Sequence, residues 1–140
     1  MEMVLESDPD LPGSEESEVN DGQREKGLEW FDRVMGFRPP VIPEDPFLDC
    51  TVDHLFANVW ARPGLGVKER RIATLVILMQ LGNEQTLRMH FGAAMKQKQL
   101  TDPEIDELIL HVAHYAGWPV AAISNQIVRA LRAERDKAAK

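Results

Sequence analysis

Ile72-Ala-Thr-Leu-Val-Ile-Leu-Met79 is the stretch on which the fold class turns. Seven of its eight residues are apolar, so it reads either as a strand buried on both faces or as a buried helix, and periodicity alone does not separate the two. Its surroundings do. From Lys68 to Leu81 there is no Gly or Pro, a run too long for an ordinary strand and a normal length for a helix. Gly82-Asn83 then supplies a helix stop.

With that segment helical, the flanking patterns agree. Leu28, Phe31, Val34 and Met35 lie near helical spacing in a first helix over 23–36. Phe37 to Pro43 is a stiff connector. Asp45 caps a second helix that has Pro46 at its first position and runs to Trp60. Arg62-Pro-Gly-Leu-Gly66 breaks the chain before the apolar helix. Leu87, Phe91, Ala94 and Met95 share one face of a helix over 84–98. In Leu100-Thr-Asp-Pro-Glu-Ile105, Thr101 and Glu104 form a capping-box pattern and Leu100 and Ile105 a hydrophobic staple. The helix they start carries the stripe Ile105, Leu108, Ile109, Val112, Ala116. Gly117 stops it. Pro119 begins a last helix with Ile123, Ile127 and Leu131 inward, and 132–140 is a solvated charged end. The expected class is all-α, about six helices.

Charge and composition narrow the function. Of the net charge of -7, residues 1–29 carry -8, and the rest of the chain is close to neutral. Residues 1–22 are read as an acidic disordered tail, too poor in apolar surface to offset ordering entropy. The organisation is then a tail over 1–22, a helical domain over 23–134 and a charged end over 135–140. No clustered basic face suggests nucleic acid, and no apolar run reaches the ~18 residues of a membrane span. The single cysteine, Cys50, cannot form an internal disulfide, which with the acidic N-terminus suggests the cytoplasm.

Several polar residues sit where a core has little use for them. His90 flanks the Leu87–Phe91–Ala94 face, and His111 borders the next stripe with Tyr115 on the same side; both imidazoles could reach one pocket edge. An isolated His111 reads first as a border histidine bonded to a backbone carbonyl, and His114 as a surface or subunit-contact residue. His54 stands alone. No Glu-x-x-His or His-Glu-x-x-His spacing is present, so no metal is expected. Arg70 and Arg71 open the apolar helix. There a cation opposes the helix dipole, so an ion pair or an anionic ligand is expected to compensate.

Four stretches in order resemble the carboxymuconolactone decarboxylases: Val59-Trp-Ala-Arg-Pro-Gly-Leu65, Lys68-Glu-Arg-Arg-Ile-Ala-Thr-Leu75, Leu87-Arg-Met-His-Phe-Gly-Ala-Ala94 and Leu110-His-Val-Ala-His-Tyr-Ala-Gly-Trp-Pro-Val-Ala-Ala122. The last matches the family pattern L-H-x-A-x-Y-x-G-x-P-x-A. The resemblance spans about residues 23–134. It implies an alkyl hydroperoxidase D-like helical domain that forms homo-oligomers, trimers or hexamers, with sites near subunit contacts. It also implies cofactor-free decarboxylation of an unsaturated lactone acid, a small-molecule substrate. His90 and His111 would then be catalytic, with Asn58, Trp60, Arg62, Arg71 and Tyr115 binding substrate. Asn58 stands where the decarboxylases carry a Glu, so a related enzyme on another ring acid, or a non-catalytic binding protein, remains open. The hydroperoxidase branch carries C-x-x-C-x-x-x-H with an upstream acid. Here the two thiol positions are Asn83 and Thr86 and the acid position is Arg71, so dithiol peroxidase activity is not expected.

Overall fold

The computed structural model describes residues 15–140, and every element in it is helical. Helix α1 is Glu15–Met35. Helix α2, Pro46–Cys50, continues directly into a π-helical segment, Thr51–Trp60. Then come α3 (Val67–Leu81), α4 (Glu84–Lys96), α5 (Asp102–Ala116) and α6 (Trp118–Ala138). The apolar stretch 72–79 is helical, with Leu75 and Met79 buried.

Local chemistry explains the boundaries. Asp45 accepts a hydrogen bond from the Leu48 N–H at 3.1 Å, with Pro46 behind it. Gly82 ends α3 in the left-handed region at φ 67°, where a side chain would be strained. Asn83 caps α4 by accepting from the Thr86 N–H at 3.1 Å. The two residues that replace thiols in the hydroperoxidase motif thus form a helix cap. The Thr101 hydroxyl accepts from the Glu104 N–H at 3.3 Å, and Leu100 and Ile105 are both buried. The Glu104 carboxylate turns to Lys68 Nζ at 2.6 Å, which ties α5 to the start of α3. Thr101→Ala is expected to cost about 1 kcal/mol and to lower the melting temperature by a few degrees. An unchanged melting curve would show that the cap carries no net stability.

Two apolar clusters form the core. One joins α3, α4, α5 and α6 through Leu75, Leu87, Phe91, Ile105, Ile109 and Val128. The other joins α1 to the π segment through Phe31, Val34, Met35, Phe56 and Trp60. Arg24 adds a polar clamp to the second, donating to Asp49 and Asp53 at 2.8 and 2.5 Å.

Four expectations about the elements need correction. Helix α1 begins by Glu15, so residues 15–22 of the expected tail are helical; residues 1–14 lie outside the described residues. The helix after Asp45 is not one α-helix to Trp60 but changes to i→i+5 bonding from Thr51. Helix α6 runs through the charged end to Ala138, because Arg132 and Arg135 bridge back to Asp106 and Asp102 on α5 at 2.8 and 3.0 Å. Its buried residues are Ala121, Ser124 and Val128, with Ile127 and Leu131 partly buried and Ile123 exposed. The small Ala121 and Ser124 let α6 lie close against α5 and leave Ile123 outside.

Candidate active site

Arg71 lies in the second turn of α3, and its side chain is completely buried. An unpartnered guanidinium there would be costly. Its partners come from three directions. Nε donates to Gln99 Oε1 at 2.8 Å. One terminal nitrogen reaches His90 Nδ1 at 2.5 Å and Met35 Sδ at 3.8 Å. The other donates to the Val34 carbonyl. The Trp60 ring centre lies 5.5 Å from the guanidinium carbon, within cation–π range.

No carboxylate appears among these partners. What compensates the cation is the C-terminal end of α1. The last carbonyls of a helix lack intrahelical donors and carry the negative end of its dipole. Arg71 supplies a donor to Val34. Gln99 Nε2 lies 3.3 Å from the same oxygen and 3.5 Å from the Arg33 carbonyl, and Lys96 Nζ donates to the Gly36 carbonyl at 2.6 Å. The expected ion pair or anionic ligand is therefore replaced, within the described residues, by a helix terminus. Arg70 is not free in solvent either. It donates to the Leu65 and Arg62 carbonyls at 3.1 and 3.3 Å and so pins the loop after Trp60.

His90 is half-buried on α4, between the buried Ala93 and Ala94 sides of that helix. Burial, and then the positive charge of Arg71, pushes its pKa down to about 4. Burial also lowers Arg71, to about 10. At neutral pH the pair is thus a guanidinium beside a neutral imidazole. Such a histidine is a poor acid but a competent hydrogen-bond donor through its remaining N–H. Arg71, His90 and Trp60 meet at the seam between the two core clusters.

The other expected site residues do not join them. Asn58 is exposed, and its Oδ1 accepts from Gln23 at 2.8 Å. It lines a polar pocket with Asp53, His54 and Cys50. Arg62 is exposed in the loop. His111 is exposed on α5, with its ring 4.9 Å from that of Tyr115, which is 85% exposed. The expectation that His111 and Tyr115 share a pocket with His90 is corrected on this point. Ala113 rather than Leu108 completes the fully buried stripe of α5, and at ~100° per residue that rotates the inner face well away from His111. His111 opens instead on an apolar groove of about 580 Å³, with Lys68, Ile72, Glu104 and Leu108. His114, not His111, bonds a backbone carbonyl, with Nδ1 2.7 Å from the Leu110 oxygen.

Gln99 has no signal of its own in the sequence, and Val34 and Met35 read there only as core residues of the first helix, not as partners of Arg71. The only sequence signal for the three was indirect: an arginine at the wrong end of a helix dipole demands partners, but does not say which.

Among the described residues no group of three metal-ligating side chains occurs, and no helix is long and apolar enough to cross a membrane.

Comparison with known proteins fits this scaffold. The profile of the carboxymuconolactone decarboxylase family matches residues 45–130, which include Trp60, Arg71, His90 and His111. The chain is 36% identical over 111 residues to a 4-carboxymuconolactone decarboxylase of Acinetobacter baylyi, covering 74% of this chain and 82% of the relative. It is 32% identical over 74 residues to the nitrosuccinic acid decarboxylase npaB of Metarhizium robertsii, covering 53% of this chain and 51% of that relative. No solved structure matches. On the family profile and the first of these relatives, the chain belongs to the carboxymuconolactone decarboxylase family.

Proposed function

We propose that this protein is a cofactor-free decarboxylase of a carboxymuconolactone-type unsaturated lactone acid, with His90 stabilising the oxyanion. The observation that carries the reading is the half-buried His90 held 2.5 Å from the buried Arg71 in a chain of this family. In such a reaction the bond from the ring carbon to the carboxylate carbon breaks. Carbon dioxide leaves, and the electron pair spreads through the double bond onto the lactone carbonyl oxygen. A proton then adds to carbon. The substrate's own carbonyl is the electron sink, so the chain has only to bind the acid, exclude water and stabilise the oxyanion. One preorganised donor contributes ~3–4 kcal/mol to such a step.

The depressed pKa of His90 favours this donor role over that of an imidazolium acid. A protonated His90 would be scarce at neutral pH, whereas a neutral N–H donor is always present. The names of the two relatives point the same way. A lactone acid and a nitro acid share a carboxylate placed so that its departing electrons reach an electronegative oxygen, of an enolate in one case and a nitronate in the other. Both need the same donor.

We also read the chain as a homo-oligomer, a trimer or hexamer. Exposed large apolar side chains support this, including Phe47, Leu81, Trp118 and Ile77. His111, Tyr115, Arg62 and Asn58 stand on the surface, and in this reading they take part in the site only where a second copy closes over them.

A panel of acids tests the proposal, with loss of ultraviolet absorbance as the readout. The unsaturated lactone acid is expected to turn over. Its saturated analogue, which lacks the conjugated sink, is expected not to. Turnover of nitrosuccinic acid alone would keep the mechanism and change the substrate. Silence on the whole panel would favour a non-catalytic binding protein. Dithiol-dependent peroxide reduction is expected to be absent in the parent and in Cys50→Ser alike.

A further inference from the structure

We infer that Arg71 is a positioning residue for His90: held by Gln99 and by the carbonyl end of α1, it donates to Nδ1 and so presents the opposite ring nitrogen, Nε2, as an N–H donor. This inference rests on the reading of His90 as the oxyanion donor.

A guanidinium carries donors and no acceptor. Where its terminal nitrogen stands 2.5 Å from His90 Nδ1, that ring nitrogen accepts and carries no proton. A neutral imidazole has one N–H, which is left on Nε2. The second histidine with a close partner shows the opposite case. His114 Nδ1 faces the Leu110 carbonyl at 2.7 Å, and a carbonyl only accepts, so Nδ1 holds the proton there. The two tautomers are set by the two partners, and Arg71 selects the one that leaves the N–H on Nε2.

Arg71 is suited to this task and not to gripping a substrate carboxylate. It is completely buried, and each of its three nitrogens already has a protein partner. Gln99 is oriented by the same network. Its Oε1 accepts from Arg71 while its Nε2 faces the α1 carbonyls, so the amide cannot flip without losing both. Arg71 on α3 supplies the charge felt at the His90 ring. The groups that hold Arg71 there, the Val34 carbonyl and Met35 of α1 and Gln99 of the loop after α4, are uncharged.

The test uses the full chain labelled with ¹⁵N in its histidines. Ring nitrogen resonances of the parent are expected to show His90 with a pyridine-type Nδ1 and a protonated Nε2, and His114 with the reverse. Arg71→Met keeps the packing volume and removes the donors. In that variant His90 is expected to show mixed tautomers and to titrate closer to 6.5. Its kcat on the acid accepted in the panel is expected to fall at least ~10-fold, with KM nearly unchanged. A parent His90 protonated on Nδ1 overturns the inference, as does an Arg71→Met protein whose tautomer and kcat match the parent's. Should that variant not fold, Gln99→Leu replaces it; unmoved His90 resonances and an unchanged kcat there would also overturn the proposal. These outcomes are separable from failure of the His90 reading, which shows as full activity in His90→Ala whatever the tautomer.

Discussion

Replacing His90 with alanine lowers turnover of the accepted acid by about 10²-fold or more, the range for removing one oxyanion donor, while the chain still folds. The effect is read in kcat by steady-state kinetics. Alanine also strips Arg71 of a partner, and a buried donor left unsatisfied costs about 1–3 kcal/mol, so some loss of stability accompanies it. His90→Gln separates the two effects. Its amide oxygen offers Arg71 an acceptor, so stability is expected to recover more than activity does. His114→Ala, on the outer face of α5, is expected to leave turnover close to the parent's, and His111→Ala to lower it less than His90→Ala, through the site that a second copy closes. If His90→Ala keeps full activity while one of those loses it, the active face is the outer side of α5 and the Arg71–His90 pair is structural.

Gly27→Ala is expected to be the most damaging conservative change to the fold. Gly27 is buried where α1 crosses the π segment. A Cβ there would overlap the Val52 carbonyl oxygen and stand 2.8 Å from both the carbonyl carbon and Cγ1. Backbone cannot swing aside as a flexible side chain can. The overlap is expected to cost about 2 kcal/mol net of alanine's better helix propensity, lowering the melting temperature by roughly 5–10 °C. Gly22 provides the control five residues earlier on the same helix. It is exposed, with nothing within 4 Å of an added Cβ, so Gly22→Ala is expected to stabilise by about 0.5–1 kcal/mol. Equal melting temperatures for the two variants would mean that α1 does not pack on the π segment as described.

The parts of this fold that local chemistry writes were readable from residues alone. The 72–79 run, the Asp45-Pro46 start, the Gly82 stop and the Thr101 cap each rest on side chains within a few positions of one another. What escaped depends on distant partners. The charged end of α6 has no apolar stripe, and its helix persists because Arg132 and Arg135 find Asp106 and Asp102 on α5. The π segment contains no Gly or Pro and keeps Val52, Phe56 and Trp60 four residues apart, so its pattern is that of an ordinary helix. The site divides in the same way. His90 stood out by its flank position. The other partners of Arg71 are a backbone carbonyl of α1, a thioether and a loop amide, none of which has a sequence signature. His111 and Tyr115 read as companions of His90 because a stripe that includes Leu108 places His111 at its border; with Ala113 in the buried set instead, the inner face turns away from both.

The pH dependence of kcat/KM for the accepted acid tests most directly whether His90 works as a neutral donor. With its pKa pushed down to about 4, the imidazole is already neutral at pH 5 and stays so upward. Protonation then removes the working form only as pH falls through about 4. The profile is therefore expected to be flat from about pH 5 to 8 and to drop below that, with the acid limb missing from what remains in His90→Gln. An acid limb near the ordinary histidine value of about 6.5, or activity that rises as His90 becomes protonated, would contradict this reading and make His90 a conventional acid or base.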